Sequence, residues 1–95
     1  MLQLSHKTLD VYKLALNLVK EVYKATATFP KDEQYVLISQ IRRAVVSVCS
    51  NIAEGASRIS KAEKKRFYEI SRSSLVEMDT QFEIQICLTI IKLDK

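Results

Sequence analysis

The apolar residues of this chain recur at helical spacing in three successive segments. From about residue 8 to residue 28, two neighbouring rows of mostly apolar side chains advance in alternating steps of three and four. One row begins at Leu9 and the other at Val11. Because a helix with two apolar rows must be covered on two sides, this pattern predicts a helix inside a bundle rather than a surface helix.

A second helix is predicted over residues 32–56, after Pro30, the one proline of the chain. Proline suits the first turn of a helix, and Asp32 and Glu33 favour the positive end of its dipole. We expect Gly55, the one glycine, to end this helix. The predicted buried face consists of Leu37, Ile38, Ile41, Ala44, Val45, Val48 and Ile52.

A third helix is predicted over residues 60–93. Ser60 and Glu63 have the spacing of a capping box, and the apolar pattern then continues to Leu93 without a helix-breaking residue. With short connections between the helices, the expected fold class is an all-α, up-and-down antiparallel helical bundle. Residues 1–95 are expected to form a single helical-bundle domain.

The composition of the chain agrees with a small helical protein. Of 95 residues, 47% are hydrophobic, and the single glycine and single proline exclude folds rich in tight turns or phosphate-binding glycine loops. Neither a signal peptide nor an uninterrupted apolar run of membrane-spanning length is present, so we expect a cytoplasmic protein without membrane contact. Cys49 and Cys87 lie within helical patterns and are expected to be reduced core thiols.

Residues suited to catalysis are scarce. The one histidine, His6, precedes the first helix, which leaves no histidine-based triad and no set of zinc ligands with the two distant cysteines. Glu77 and Asp79 are two residues apart on a helix, so they do not face each other as an acid and base would. We therefore expect a protein that is not an enzyme and that needs no cofactor or metal.

A stripe of polar residues borders the apolar face of the second helix. One interpretation is that Arg43 and Asn51 contact a ligand or nucleic acid. The other is a structural hydrogen-bond network that fixes the register between helices or subunits, with Glu54 as the carboxylate partner of the arginine. The polar stripe consists of Gln40, Arg43, Ser47, Asn51 and Glu54.

Positive charge is concentrated where the third helix begins. Between Arg58 and Arg72 there are six basic and two acidic residues, a net charge of +4 that equals the net charge of the whole chain. Steps of four, three and four place several cations and one aromatic ring on a single helical face. This pattern predicts a nucleic-acid-binding surface, although an ordinary solvated face has the same composition. The predicted binding residues are Arg58, Lys61, Lys64, Lys65, Tyr68 and Arg72.

Several strings of the sequence are similar to those of a known protein family. They are Phe29-Pro30, Gln40-Ile41-Arg42-Arg43-Ala44, Ser47, Asn51-Ile52-Ala53-Glu54-Gly55 with Arg58, and Ser74-Leu75 with Glu77. Together they resemble the bacterial four-helix-bundle family of 23S ribosomal RNA intervening-sequence proteins. That family is encoded within insertions in large-subunit ribosomal RNA genes, and it is similar to the accessory variability determinant of diversity-generating retroelements.

The resemblance implies a non-catalytic bundle that assembles into a ring, typically a homopentamer, with a basic surface that binds RNA or DNA. In the retroelement relatives the ring binds a reverse transcriptase and RNA, so the alternative function is a protein-interaction scaffold. The resemblance also implies a fourth helix, which is absent or truncated here because the sequence ends at Lys95. Our leading hypothesis is a homo-oligomeric helical protein that binds nucleic acid.

Overall fold

The fold consists of three long α-helices preceded by one short 3-10 helix. A computed structural model describes residues 5–30 and 35–93, and this part of the chain contains no strand. After the 3-10 helix Ser5–Thr8 come α1 (Asp10–Ala27), α2 (Tyr35–Ser57) and α3 (Lys61–Leu93). The predicted all-α class is confirmed, and the predicted helix ends agree within about two residues wherever they can be compared. The predicted start of the second helix, with Asp32 and Glu33, lies outside the described residues.

The central element of the fold is α2, which packs against α1 on one side and α3 on the other. Ile41 and Val45 of α2 have no exposed surface, and they form a cluster with Val22 of α1 and Met78 of α3. The predicted apolar face of the second helix is therefore the core of the molecule. The buried apolar residues of α2 are Ile38, Ile41, Ala44, Val45, Val48, Cys49 and Ile52.

Small hydroxylated side chains mark the contact between α2 and α3. The Ser71 hydroxyl of α3 donates a hydrogen bond of 2.7 Å to the Val48 carbonyl of α2. The Ser47 and Ser74 hydroxyls lie 2.9 Å apart across the same contact. Since the higher-numbered residue of α3 pairs with the lower-numbered residue of α2, the two helices run antiparallel.

Gly55 has a different role from the one predicted. α2 continues through Gly55 to Ser57, and no glycine in the described residues has a positive φ, so Gly55 is not a left-handed helix terminator. Instead, a Cβ atom at Gly55 would lie 2.7 Å from Cε1 of Tyr68 and 3.2 Å from Cβ of Phe67. The helix ends near Gly55 as predicted, but the role of Gly55 as its terminator was wrong. Glycine is favoured here because α3 approaches the α2 backbone closely.

Helix capping occurs at the turn that joins α2 to α3. The Ser57 hydroxyl donates to the Glu54 carbonyl at 2.8 Å, and the Lys64 ammonium donates to the Ala56 carbonyl at 3.3 Å. At the start of α3, the Ser60 hydroxyl accepts a hydrogen bond of 3.0 Å from the Glu63 amide, as the capping pattern predicts. These bonds satisfy backbone groups that the helix ends leave without intrahelical partners.

Arg42 of α2 forms hydrogen bonds with α1. The hydroxyl of Thr26, which has no exposed surface, donates to the Val22 carbonyl at 2.8 Å and accepts a hydrogen bond of 2.8 Å from Arg42 Nε. The Arg42 guanidinium lies 4.5 Å from the centre of the Tyr23 ring and donates to the Tyr23 carbonyl at 3.3 Å. The next residue, Arg43, points to solvent and has no hydrogen bond or ion pair within the described residues.

The two cysteines differ in environment. Cys49 is buried against Ala15, Val48 and Ile52, and this burial raises the pKa of its thiol, while a hydrogen bond with Tyr12 lowers it in part. Cys87 is exposed on α3, so the expectation of a core thiol is confirmed for Cys49 and wrong for Cys87. Neither cysteine forms a disulfide, which agrees with the expected reduced state.

Large apolar side chains remain exposed on both outer helices. A groove of about 560 Å³ runs between α1 and α3 above α2, and most of its lining residues are apolar. We call it the apolar groove; it is lined by Leu9, Val11, Leu14, Leu18, Ile52 and Leu75, among others. Leu16 and Val11, one from each apolar row of the first helix, are 48% and 51% exposed, so the two rows are only partly covered, and Leu14 beside them is 69% exposed.

The C-terminal end of α3 extends past the other described helices. Ser71 of α3 lies opposite Val48 of α2, and the two helices are antiparallel. Thirteen residues farther along α3, Ile84 therefore lies at the level of Tyr35, where α2 begins. Residues 86–93 extend about 12 Å beyond that point, and every one of them is exposed. Apolar residues in this end of α3 are Ile86, Leu88, Ile90, Ile91 and Leu93.

By length and composition alone, α2 could cross a membrane, since an 18-residue window within it has a mean hydropathy of 1.2. Of that window, 39% is buried between the neighbouring helices. The core helix of a soluble protein satisfies the same two criteria, so the apolar character of α2 is explained by its central position.

Replacing Gly55 with alanine tests the close approach of α2 and α3. Alanine is ordinarily favoured over glycine within a helix by about 1 kcal/mol. Overpacking against Tyr68 and Phe67 should exceed this gain, so Gly55→Ala is expected to lower the free energy of unfolding by about 1 kcal/mol. Urea denaturation followed by circular dichroism measures it. In a Tyr68→Ala background the loss should shrink or change sign, and an equal loss in both backgrounds would contradict the explanation.

The neighbouring arginines provide a matched pair of variants. Arg42→Gln removes a charge-assisted hydrogen bond and a cation–π contact, so we expect the free energy of unfolding to fall by about 2 kcal/mol. Arg43→Gln changes an exposed side chain and should alter stability by less than about 0.5 kcal/mol. The same denaturation experiment compares them, and similar losses in both variants would rule out the assigned role of Arg42.

Candidate nucleic-acid interface

The first half of α3 carries a shallow basic groove of about 420 Å³. Five of the six residues predicted to bind nucleic acid line it, together with one carboxylate, Glu69. The helical steps of four, three and four bring these side chains to one face, as the sequence pattern predicts. The residues of this α3 basic groove are Lys61, Lys64, Lys65, Tyr68, Glu69 and Arg72.

Most cations of the α3 basic groove remain available. Lys61 and Arg72 are exposed and have neither a hydrogen bond nor an ion pair to any described residue. Lys65 Nζ lies 4.0 Å from Glu69 Oε1 with 78% of the lysine side chain exposed, a pairing that contributes little in water. Lys64 is the exception, because its ammonium also caps the α2 carbonyl of Ala56.

Tyr68 is only partly available for stacking on a base. One edge of its ring contacts the surface of α2 at Gly55, where Cδ1 would be 2.9 Å from an added Cβ. The residue keeps 40% of its surface exposed at the edge of the groove. The ring is therefore held in place by packing and presents its remaining surface beside Arg72.

The structure separates Arg58 from the other predicted binding residues. Its Nη2 donates to Glu54 Oε2 at 3.1 Å, and the centre of its guanidinium lies 4.7 Å from the centre of the Phe67 ring. Arg58 Nε is buried without a hydrogen-bond partner among the described residues. Because Arg58 follows Glu54 by four residues and leaves the helix at the turn, its charge stabilises the turn rather than lining the groove.

Within the polar stripe, Ser47 and Asn51 form hydrogen bonds at the contact with α3, whereas Glu54 forms an ion pair at the end of α2. Asn51 Nδ2 donates to the Ser47 carbonyl at 2.8 Å and to the Ser47 hydroxyl at 3.0 Å. Since Ser47 in turn contacts Ser74, these residues form the predicted hydrogen-bond network between α2 and α3. The expectation that Glu54 pairs with Arg43 was wrong, because Glu54 forms its ion pair with Arg58.

Gln40 and Arg43 lie at the outer edge of the stripe. They line a small cleft of about 300 Å³ between α2 and α3, together with Glu77 and Gln81. Gln81 donates to Glu77 Oε1 at 3.1 Å. Although Glu77 lines the same cleft, the exposed guanidinium of Arg43 forms no ion pair with a described carboxylate, so it is available to a ligand or another chain.

Two structurally important residues had no role assigned from the sequence. Ser71 and Arg42 each form a hydrogen bond between helices. Both are polar residues that fall at the border of an apolar helical face, and this position is the signal that could have identified them. Arg42 also has a threonine and a tyrosine within reach on α1, which periodicity along one helix does not reveal.

A metal-dependent site finds no support in the described part of the chain. No group of three or more histidine, cysteine, aspartate or glutamate side chains comes together there. His6 lies with its ring centre 4.8 Å from that of Tyr12, in an edge-to-face contact. The contact is typical of packing at the start of a helix.

Comparison with known proteins gives one family. No curated protein matches the sequence. Among protein-family models, the 23S rRNA-intervening sequence protein family matches residues 7–95, which is nearly the whole chain. The match does not extend to the accessory variability determinant, so that further likeness stays a prediction. The helical fold and this match together show that the chain belongs to the 23S rRNA-intervening sequence protein family.

Proposed function

We propose that this protein binds nucleic acid, without catalysis, through the α3 basic groove. The observation that carries the proposal is the set of exposed cations on one face of the first half of α3. Phosphate groups are held by such cations through the release of counterions, and no base-specific contact is needed. The membership of an rRNA-associated family supports a role connected with nucleic acid.

The charge distribution favours this face over the rest of the molecule. The segment from Arg58 to Arg72 has a net charge of +4, so the remaining residues are neutral in sum. Glu69 is the one carboxylate that lines the groove, and it pairs weakly with Lys65. An extended phosphate chain would therefore meet Lys61, Lys65 and Arg72 with little repulsion.

We also propose that the protein acts as a homo-oligomer. Exposed large apolar residues occur on all three helices, and the apolar groove leaves one side of the bundle uncovered. Apolar patches of this extent on soluble proteins mark interaction surfaces. A homopentamer, as the resemblance implies, would bury part of this surface and repeat the α3 basic groove around a ring.

The second candidate function is a scaffold that captures a partner protein, such as a reverse transcriptase. The apolar groove supports this candidate because its lining is mostly aliphatic and extends over about two turns of each of α1 and α3. Protein contact would then depend on the apolar groove, whereas nucleic-acid contact would depend on the α3 basic groove. Arg72 and Tyr68 line both grooves, but Leu14 lines the apolar groove alone and Lys61 and Lys65 line the α3 basic groove alone, so mutations at these three positions separate the two candidates.

If the protein binds nucleic acid through the α3 basic groove, its affinity for RNA should fall with salt, and reversing three charges of the groove should weaken both the affinity and its salt dependence. The variant Lys61→Glu, Lys65→Glu, Arg72→Glu should weaken binding to single-stranded RNA by at least about tenfold and reduce the salt slope by about 2. Fluorescence anisotropy at several salt concentrations measures both quantities.

The matched control places the same three reversals on α1. Lys13→Glu, Lys20→Glu, Lys24→Glu changes three exposed lysines on one face and alters the net charge by the same amount. This control should retain most of the affinity. Equal losses in both variants would mean that total charge decides binding, and unchanged affinity in the α3 variant would contradict the proposal.

The proposed self-association predicts a solution mass several times that of one chain, and five times for a pentamer. Multi-angle light scattering measures it. Leu14→Glu places a charge on a 69% exposed leucine of the apolar groove and should lower the mass. Asn17→Glu adds the same charge to an exposed polar position of α1 and should not. A monomeric wild-type chain would refute self-association.

A further inference from the structure

Another cleft, separate from the two grooves, lies between α2 and the end of α1. Its volume of about 550 Å³ falls within the range of small-molecule sites. Tyr23 and Tyr35 contribute two aromatic rings, with 41% and 66% of their residue surfaces exposed. Arg42, Arg43 and Ser39 contribute polar groups, and aliphatic side chains complete the lining of this α1–α2 cleft.

The charge of the α1–α2 cleft is unbalanced. Two arginines line it, and none of the described residues in its lining is acidic. Arg42 is already engaged with Thr26 and with the Tyr23 ring, so its position is fixed by the fold. Arg43 has no such partner among the described residues, and it presents a planar guanidinium with several donors to the cleft.

The tyrosines define the other half of the binding chemistry. The Tyr23 ring has one face covered by the Arg42 guanidinium, whereas Tyr35 at the start of α2 is the more exposed of the two rings. Exposed aromatic rings next to arginine stack on nucleobases, and each stacked base contributes about 1–3 kcal/mol. An anion with a flat apolar body matches both features of the cleft.

We propose that the α1–α2 cleft binds a nucleotide unit, with the base stacked on Tyr35 and the phosphate held by Arg43. The nucleotide is either a free nucleoside monophosphate or one residue of an RNA strand. Arg43 also borders the small cleft at Gln81, and Gln81 lies about 20 Å along α3 from Tyr68. The site is thus distinct from the α3 basic groove, and the proposal does not depend on that groove.

Isothermal titration of the full chain with adenosine 5′-monophosphate tests the proposal, alongside adenosine and ribose 5-phosphate. The complete nucleotide should bind more tightly than either half. Arg43→Gln should weaken the nucleotide by about tenfold and leave adenosine unchanged, because the lost contact is to phosphate. Tyr35→Leu should weaken the nucleotide and adenosine by a similar factor and leave ribose 5-phosphate unchanged.

Arg66→Gln is the control, since it removes an exposed arginine that lies against Phe67 outside both sites. It should bind the nucleotide like the wild type. Circular dichroism confirms that each variant remains helical, which the exposure of Tyr35 and Arg43 predicts.

A decamer of adenylate distinguishes the two sources of the nucleotide. If Arg43→Gln weakens binding of the decamer but not of the monophosphate, the cleft binds one residue of an RNA strand. If Arg43→Gln weakens binding of the monophosphate, the cleft binds a free nucleotide. If neither ligand responds to Arg43→Gln or Tyr35→Leu, the proposal is overturned. The triple variant of the α3 basic groove should leave monophosphate binding unchanged, so the failure of one proposal does not imply the failure of the other.

Discussion

The close approach of α3 to the backbone of α2 is the constraint on which the rest of the structure depends. At one end, Gly55 admits the ring of Tyr68 and the Cβ atom of Phe67 because it has no side chain. Farther along, Ser47, Ser71 and Ser74 are small enough to let the helices meet and polar enough to bond across the contact. The contact fixes the rotation of α3 about its own axis, and this rotation turns the basic residues outward.

Function on this fold follows from the angular position of each residue on its helix. Consecutive residues on a helix are separated by about 100°, and the two adjacent arginines of α2 show the consequence. Arg42 turns toward α1 and holds Thr26, whereas Arg43 turns away from the bundle and is free to contact other molecules. A similar division applies to the six predicted binding residues, where Arg58 and Lys64 bond to the end of α2, Tyr68 packs partly against it, and Lys61, Lys65 and Arg72 face solvent.

The sequence predicted the helices and most of the basic groove, because both depend on periodicity within a single segment. Lys61, Lys65, Tyr68 and Arg72 share a face whatever packs behind them. Contacts between segments were less predictable. The partner of Glu54 depends on where the chain turns after Ser57, and the role of Gly55 depends on the distance to another helix. Neither quantity is contained in the spacing of residues along one helix.

The unequal lengths of α2 and α3 have a thermodynamic consequence. A few helical turns without tertiary neighbours are barely stable in water, because most helical stability in proteins comes from packing. Residues 86–93 extend past the start of α2, and the described part of the chain leaves their apolar side chains exposed. Any surface that covered this end would also supply free energy that keeps it folded, and part of a binding energy measured there would then be a folding energy.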